Sequence, residues 1–173
     1  MKNFSEYFKP VIVLLAVCVA AGVILSGVNA MTFEKIAANE EAARTENYFK
    51  ALPSADAFTE LAASNGADVQ MAENGEGYVI AASGRGYGGD VTAYVAFSKD
   101  GKILNVVINS STETPGMGSK VSGEEFTGNF TGSDAKTFAL EEIDAVTGAT
   151  ISSRAALNAV NKAVEAFEEV KEG

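Results

Sequence analysis

The run Asp144-Ala145-Val146-Thr147-Gly148-Ala149-Thr150-Ile151-Ser152-Ser153 sets hydroxyl residues on both sides of a Gly-Ala elbow, just ahead of an amphipathic segment. An acidic residue, a flexible elbow and an accessible Thr together suggest that a group is attached to, or held at, Thr150. Gly148 and Ala149 have almost no side chain, so a bulky group can approach the backbone closely. A helix is expected to begin near Ser152, and its free N–H groups and positive dipole end favour an anion there. Ser152 and Ser153 can cap that helix or donate to the anion, and Arg154 can add a counter-charge. Taken alone, the run also reads as an ordinary turn and helix cap, because Ser and Thr are common before helices.

A second constellation lies upstream, in Glu113-Thr114-Pro115-Gly116-Met117-Gly118-Ser119-Lys120. Pro115-Gly116 and Gly118 make a sharp turn whose backbone N–H groups can face a ligand. Lys120 can balance a phosphate or an electron-rich ring, and Met117 can pack on an aromatic ring. The competing reading is a compact surface loop with a solvated lysine. Gly84 to Gly89 holds four glycines around Arg85 and Tyr87. It lacks the Lys-Ser/Thr ending of a phosphate-binding loop and no helix follows, so a bulge or wide turn between strands is the better reading.

Both constellations carry a family resemblance. The run Asp144 to Ser152 resembles the flavinylation motif of the FMN-binding domain family, Asp-x-x-Ser/Thr-Gly-Ala-Thr-x-Ser/Thr, with every fixed position matched by Asp144, Thr147, Gly148, Ala149, Thr150 and Ser152. In that family FMN is joined by a phosphoester to the Thr of the Gly-Ala-Thr triplet, which is Thr150 here. The loop Glu113 to Lys120 resembles the Glu-Thr-Pro-Gly-x-Gly-x-Lys loop of the Rnf complex G subunits and the related NqrC-type subunits. The short chain favours the G-subunit type. The resemblance implies an electron carrier whose covalent FMN passes electrons within a membrane complex linking ferredoxin and NAD to ion transport. It implies a flavin transferase as a maturation partner and other membrane subunits as working partners. Implied cofactor-binding residues are Asp144, Thr147, Gly148, Ala149, Ser152 and Ser153 with Glu113, Thr114, Pro115, Gly116, Met117, Gly118 and Lys120. Tyr87, Met117 or a partner protein is left as the surface on which the flavin ring stacks. No acid, base or metal ligand is assigned.

Composition narrows the field independently. The 173-residue chain has no His, one Cys (Cys18) and a formal net charge of -10. Zinc, haem and Cys-ligated iron–sulfur sites lack their usual ligands, and a Ser-His-Asp or Cys-His arrangement is excluded. The acidic balance makes nucleic acid an unsuitable partner. A cofactor that brings its own chemistry fits what is left.

These residues need a scaffold. Val11 to Val28 contains no charged residue, and the apolar stretch is long enough to cross a bilayer. Lys2 and Lys9 precede it, which places the N-terminus in the cytoplasm and the remaining domain outside. A cleaved signal peptide ending near Val28-Asn29-Ala30 is the competing reading. The expected organisation is an anchor over 1–31, a helical linker over 32–52 and an FMN-binding domain over 53–173. Within that domain the pattern predicts a short helix over 53–64 carrying Phe58 and Leu61. It predicts strands over 77–83, 91–98 and 103–109, with a hairpin at Asp100-Gly101. An amphipathic helix from Ser153 to Val170 follows, with Leu157, Val160, Val164 and Phe167 on one stripe. The fold class is therefore α+β: an N-terminal transmembrane helix, then one extracytoplasmic domain with an antiparallel or mixed sheet and a C-terminal helix. The expected location is a bacterial or archaeal cytoplasmic membrane, single-pass. The alternatives are an NqrC-like subunit of a sodium-translocating quinone reductase and a membrane-tethered binding domain with no cofactor.

Overall fold

The computed structural model describes residues 2–61 and 65–172, and the chain divides into two units, Met1–Arg44 and Thr45–Gly173. The first unit is helical, formed by most of α1 (Lys2–Ala51). Its stretch without charge has a mean hydropathy of 2.9, and α1 alone among the described residues is long and apolar enough to cross a membrane.

The second unit is built on a five-stranded antiparallel sheet in sequence order: β1 (Phe58–Leu61), β2 (Asp68–Ala72), β3 (Gly77–Arg85), β4 (Asp90–Ser98) and β5 (Ile103–Asn109). Of the expected helix over 53–64, the described residues 53–61 form none. Residues 58–61 are β1, paired to β2 with Phe58 opposite Ala72 and Leu61 opposite Val69; residues 62–64 lie outside the described residues. A spacing of three points Phe58 and Leu61 to opposite faces of a strand. Both are half-buried because both faces of the sheet are covered: Leu61 packs into one apolar cluster and Phe58 into the other. Tertiary packing thus overrides a weak helical pattern. The neighbouring strand β2 is an addition to what the sequence pattern predicts. Turns at Asn65-Gly66 and Gly75, all at positive φ, bound it.

The remaining strands follow the sequence closely. Val91, Ala93, Val95 and Phe97 alternate onto one fully buried face of β4. Gly101 (φ 89°) makes the expected hairpin, with its N–H donating to Ser98 O at 3.0 Å. On the other face of the sheet, Tyr48 and Ala51 from the last turn of α1, with Leu52 just after it, pack against Val79, Tyr94 and Ala96.

After β5 the chain runs through a 3-10 turn (Gly118–Ser122) and a single-turn helix α2 (Glu124–Thr127) before reaching α3 (Thr150–Glu172). The long helix α3 lies on β3 and β4. Leu157, Val160, Val164 and Phe167 are buried there, and Phe167 stacks on Phe97 with ring centroids 4.5 Å apart and planes at 12°. Near its N-terminal end, α3 sits against the sheet backbone: a Cβ on Gly84 would run into the Ala155 carbonyl. That contact fixes the height of the first turn of α3 over β3. The helix starts at Thr150, not near Ser152. Ser152 and Ser153 therefore lie inside the first turn, and their hydroxyls are used elsewhere than at a cap.

Candidate functional site

Two turns of the same kind frame the site. Ala149 N–H donates to Val146 O at 3.0 Å around Thr147-Gly148, with Gly148 at φ 81°. Met117 N–H donates to Thr114 O at 3.2 Å around Pro115-Gly116, with Gly116 at φ 76°. Both match a type II turn, whose third residue needs positive φ and so glycine. Pro115 presets the second position of its turn.

The first turn leads directly into α3. Ser153 N–H donates to Ala149 O at 2.9 Å, so Ala149 occupies the N-cap and Thr150 the first helical position. Alanine has no side-chain oxygen to offer the first-turn N–H groups, where Ser, Thr, Asp or Asn is the usual choice. The N-terminus of α3 is consequently open to an anion. Thr150 itself is exposed.

Thr150 opens onto a cleft of about 410 Å³. Gly148, Ala149, Ile151 and Ser152 line it from the helix side, and Glu113, Thr114, Met117 and Gly118 from the loop after β5. Tyr87, from the loop between β3 and β4, completes it. Tyr87 is 75% exposed, and Met117 and Ile151 are each 54% exposed. Three large apolar groups standing open around one cleft suit a flat, apolar-faced ligand.

Beneath them lies Glu113, only 4% exposed. Its carboxylate accepts the Ser152 hydroxyl and the Gly88 N–H, the latter at 2.9 Å. Burial works against its charge. The Ser152 hydroxyl and the backbone N–H groups of Gly88, Gly89 and Tyr87 outweigh that effect and hold the carboxyl below the ordinary glutamate range. Glu113 therefore sits at the floor as an anion tied to two other chain segments.

The remaining expected residues lie elsewhere. Asp144, Thr147 and Lys120 line a second, larger cleft of about 1060 Å³ with Phe126 and Glu125, on the other side of the Thr147-Gly148 turn. Asp144 is held there by its N–H, which donates to Asn129 Oδ1 at 2.9 Å. Ser153 is fully buried and lines neither cleft; its Oγ accepts the Val146 N–H at 3.0 Å. Pro115 and Gly116 are exposed turn residues. Ile151 is a lining residue that the motifs do not single out. Its only signal was an apolar side chain inside an otherwise small and polar run, and a run of residues does not show which apolar side chain stays uncovered.

Comparison with known proteins agrees with this geometry. The FMN-binding domain family matches residues 86–165, which span both turns and about the first two-thirds of α3. The G subunit of a proton-translocating ferredoxin:NAD(+) oxidoreductase complex from Clostridium ljungdahlii is 32% identical over 164 residues, covering 88% of this chain and 86% of that one. The G subunit of an ion-translocating oxidoreductase complex from Methanosarcina acetivorans is 25% identical over 181 residues, covering 95% and 96%. Among solved structures, the C subunit of the Na(+)-translocating NADH-quinone reductase from Parabacteroides distasonis superposes with a TM-score of 0.51 over 62% of each chain at 18% identity. That likeness establishes the fold.

Proposed function

Because the chain belongs to the G-subunit family of Rnf-type ion-translocating ferredoxin:NAD(+) oxidoreductases, we propose that it holds FMN as a phosphoester on Thr150. It is an electron-transfer subunit of an ion-translocating oxidoreductase. When bound, FMN would supply the reversible uptake and release of electrons.

The observation that carries the covalent reading is the setting of Thr150. Thr150 is exposed at the first position of a helix whose cap residue is alanine, on a cleft rimmed by uncovered Tyr87, Met117 and Ile151. The first-turn N–H groups of α3 can hold a phosphate diester without competition from a capping side chain. A Cβ on Gly148 would meet nothing within 4 Å, so the approach to Thr150 is open. These residues fit FMN. In the attachment step the Thr150 oxygen displaces AMP at the FMN-side phosphorus of FAD, losing its proton, under a separate flavin transferase. Asp144, Thr147 and Lys120 face the second cleft, and we assign them to contact with that enzyme more than with the bound flavin.

Lys2 and Lys9 ahead of the apolar stretch support an extracytoplasmic position for the flavin domain, tethered by a single pass. Intact-mass measurement tests the central claim. The wild-type chain co-expressed with a flavin transferase gains the mass of an esterified FMN, and Thr150→Ala does not. A wild-type chain of unmodified mass under those conditions would overturn the assignment.

A further inference from the structure

We propose that Glu113 is the positioning residue of the flavin cleft: one buried carboxylate holds the Tyr87–Gly89 loop to the first turn of α3, and so fixes Tyr87 at the rim of the cleft onto which Thr150 opens. The proposal rests on the reading of Thr150 as the flavin carrier and adds the element that sets how the ring is met.

Three segments distant in sequence converge on this side chain. The loop between β3 and β4 donates backbone N–H groups to it, the loop after β5 supplies it, and Ser152 donates from α3. Two of these segments carry glycine where a side chain would displace it. A Cβ on Gly118 would lie 2.7 Å from both Glu113 Oε2 and Ser152 Oγ, and one on Gly86 would collide with Glu113 Oε1. A buried carboxylate is costly to keep unless every oxygen is satisfied. Among the described residues no buried side-chain polar atom lacks a partner.

The loop needs such an anchor. Gly86, Gly88 and Gly89 bring no side chain to pack and carry the largest conformational entropy to lose. Tyr87 is 75% exposed, so little of its own packing holds it in place. Its position is inherited from the backbone on either side, which is closed by the Gly86 N–H donating to Gly89 O at 2.8 Å and tied to α3 through Glu113. The carboxylate thus acts on the flavin through Tyr87, with no need to touch the ring.

The test uses the full chain co-expressed with a flavin transferase, as wild type, Glu113→Gln, Glu113→Ala, Tyr87→Leu and the Glu113→Ala/Tyr87→Leu pair. Two readouts are taken: amide hydrogen exchange at Gly88 and Gly89, and the fluorescence of the attached flavin, which a contacting tyrosine ring quenches. We expect exchange at Gly88 and Gly89 to rise many-fold in Glu113→Ala and by an intermediate amount in Glu113→Gln, with the amides of β4 unchanged. Tyr87→Leu raises flavin fluorescence several-fold in the wild-type background and adds little to Glu113→Ala, the non-additivity that marks a coupled pair. Unchanged exchange at Gly88 and Gly89 in both Glu113 variants, or an undiminished Tyr87→Leu effect beside Glu113→Ala, overturns the proposal. If Glu113→Ala does not fold, the near-isosteric Glu113→Gln carries both measurements. A wild-type chain without flavin whose loop exchange still responds to Glu113 supports the brace and overturns the Thr150 reading alone.

Discussion

Ser153 Oγ accepts the Val146 N–H at 3.0 Å, across the turn that separates the two clefts. That bond ties the segment bearing Asp144 and Thr147 to the same helical turn that bears Thr150. Ser153 is fully buried, so Ser153→Ala leaves the Val146 N–H without its side-chain acceptor. The expected loss is about 1–3 kcal/mol in denaturant unfolding, together with slower flavin attachment because the turn is no longer pinned to α3. An attachment time course unchanged by Ser153→Ala would show that the turn needs no such tether.

Gly148 and Gly116 offer a matched comparison. Both sit at positive φ, 81° and 76°, and a Cβ at either would meet open space. Substitution by Ala therefore costs only the conformational penalty, about 1–2 kcal/mol at each. Stability falls alike in the two variants, but FMN attachment falls chiefly in Gly148→Ala, whose turn delivers Thr150. Chemical denaturation and intact mass, measured on both variants, check the split; equal losses of attachment would remove it.

Phe167 lies far along α3 from the site yet holds it in place. It stacks on Phe97 inside the sheet–helix core. Phe167→Ala should cost about 3–5 kcal/mol. It should also broaden the environment of the attached flavin, because α3 carries the attachment point on its first turn. A destabilised variant with unaltered flavin circular dichroism would argue that the N-terminal turn is held by Gly84 and the sheet alone.

The ionisation of Glu113 sets a pH dependence with a definite sign. Its carboxyl is held below the ordinary range in the folded state. Its stabilising contribution is therefore fully present above the unfolded-state value, about 4.3 for glutamate, and is lost as pH falls through the lower folded value. Wild-type stability should drop more steeply than that of Glu113→Gln as pH is lowered through this interval. Urea titrations at stepped pH give the comparison, and parallel curves for the two proteins would contradict it.

Much of the fold is legible in the residues. The stripe Leu157, Val160, Val164 and Phe167 specifies a helix with one buried face, and that face is the one docked on the sheet. The alternation Val91, Ala93, Val95, Phe97 specifies the buried side of β4, and Asp100-Gly101 specifies the hairpin beyond it. Residues 58–61 read wrongly as part of a helix because Phe58 and Leu61 are three apart. That spacing is a helical face only if one face is buried, and this sheet is covered on both.

The motif around Thr150 was legible as residue types, and those types already dictate a hydroxyl on a glycine elbow ahead of a helix. Their distribution was decided only in three dimensions. The positive φ at Gly148 turns the chain so that Asp144 and Thr147 line one cleft and Thr150 the other. Burial decided the rest: the enclosed polar atoms of Ser152, Ser153 and Glu113 find partners within the protein, Ser152 on Glu113 and Ser153 on the Val146 N–H. Local chemistry is carried by the side chains themselves, whereas the surface each one meets depends on which distant segments pack beside it.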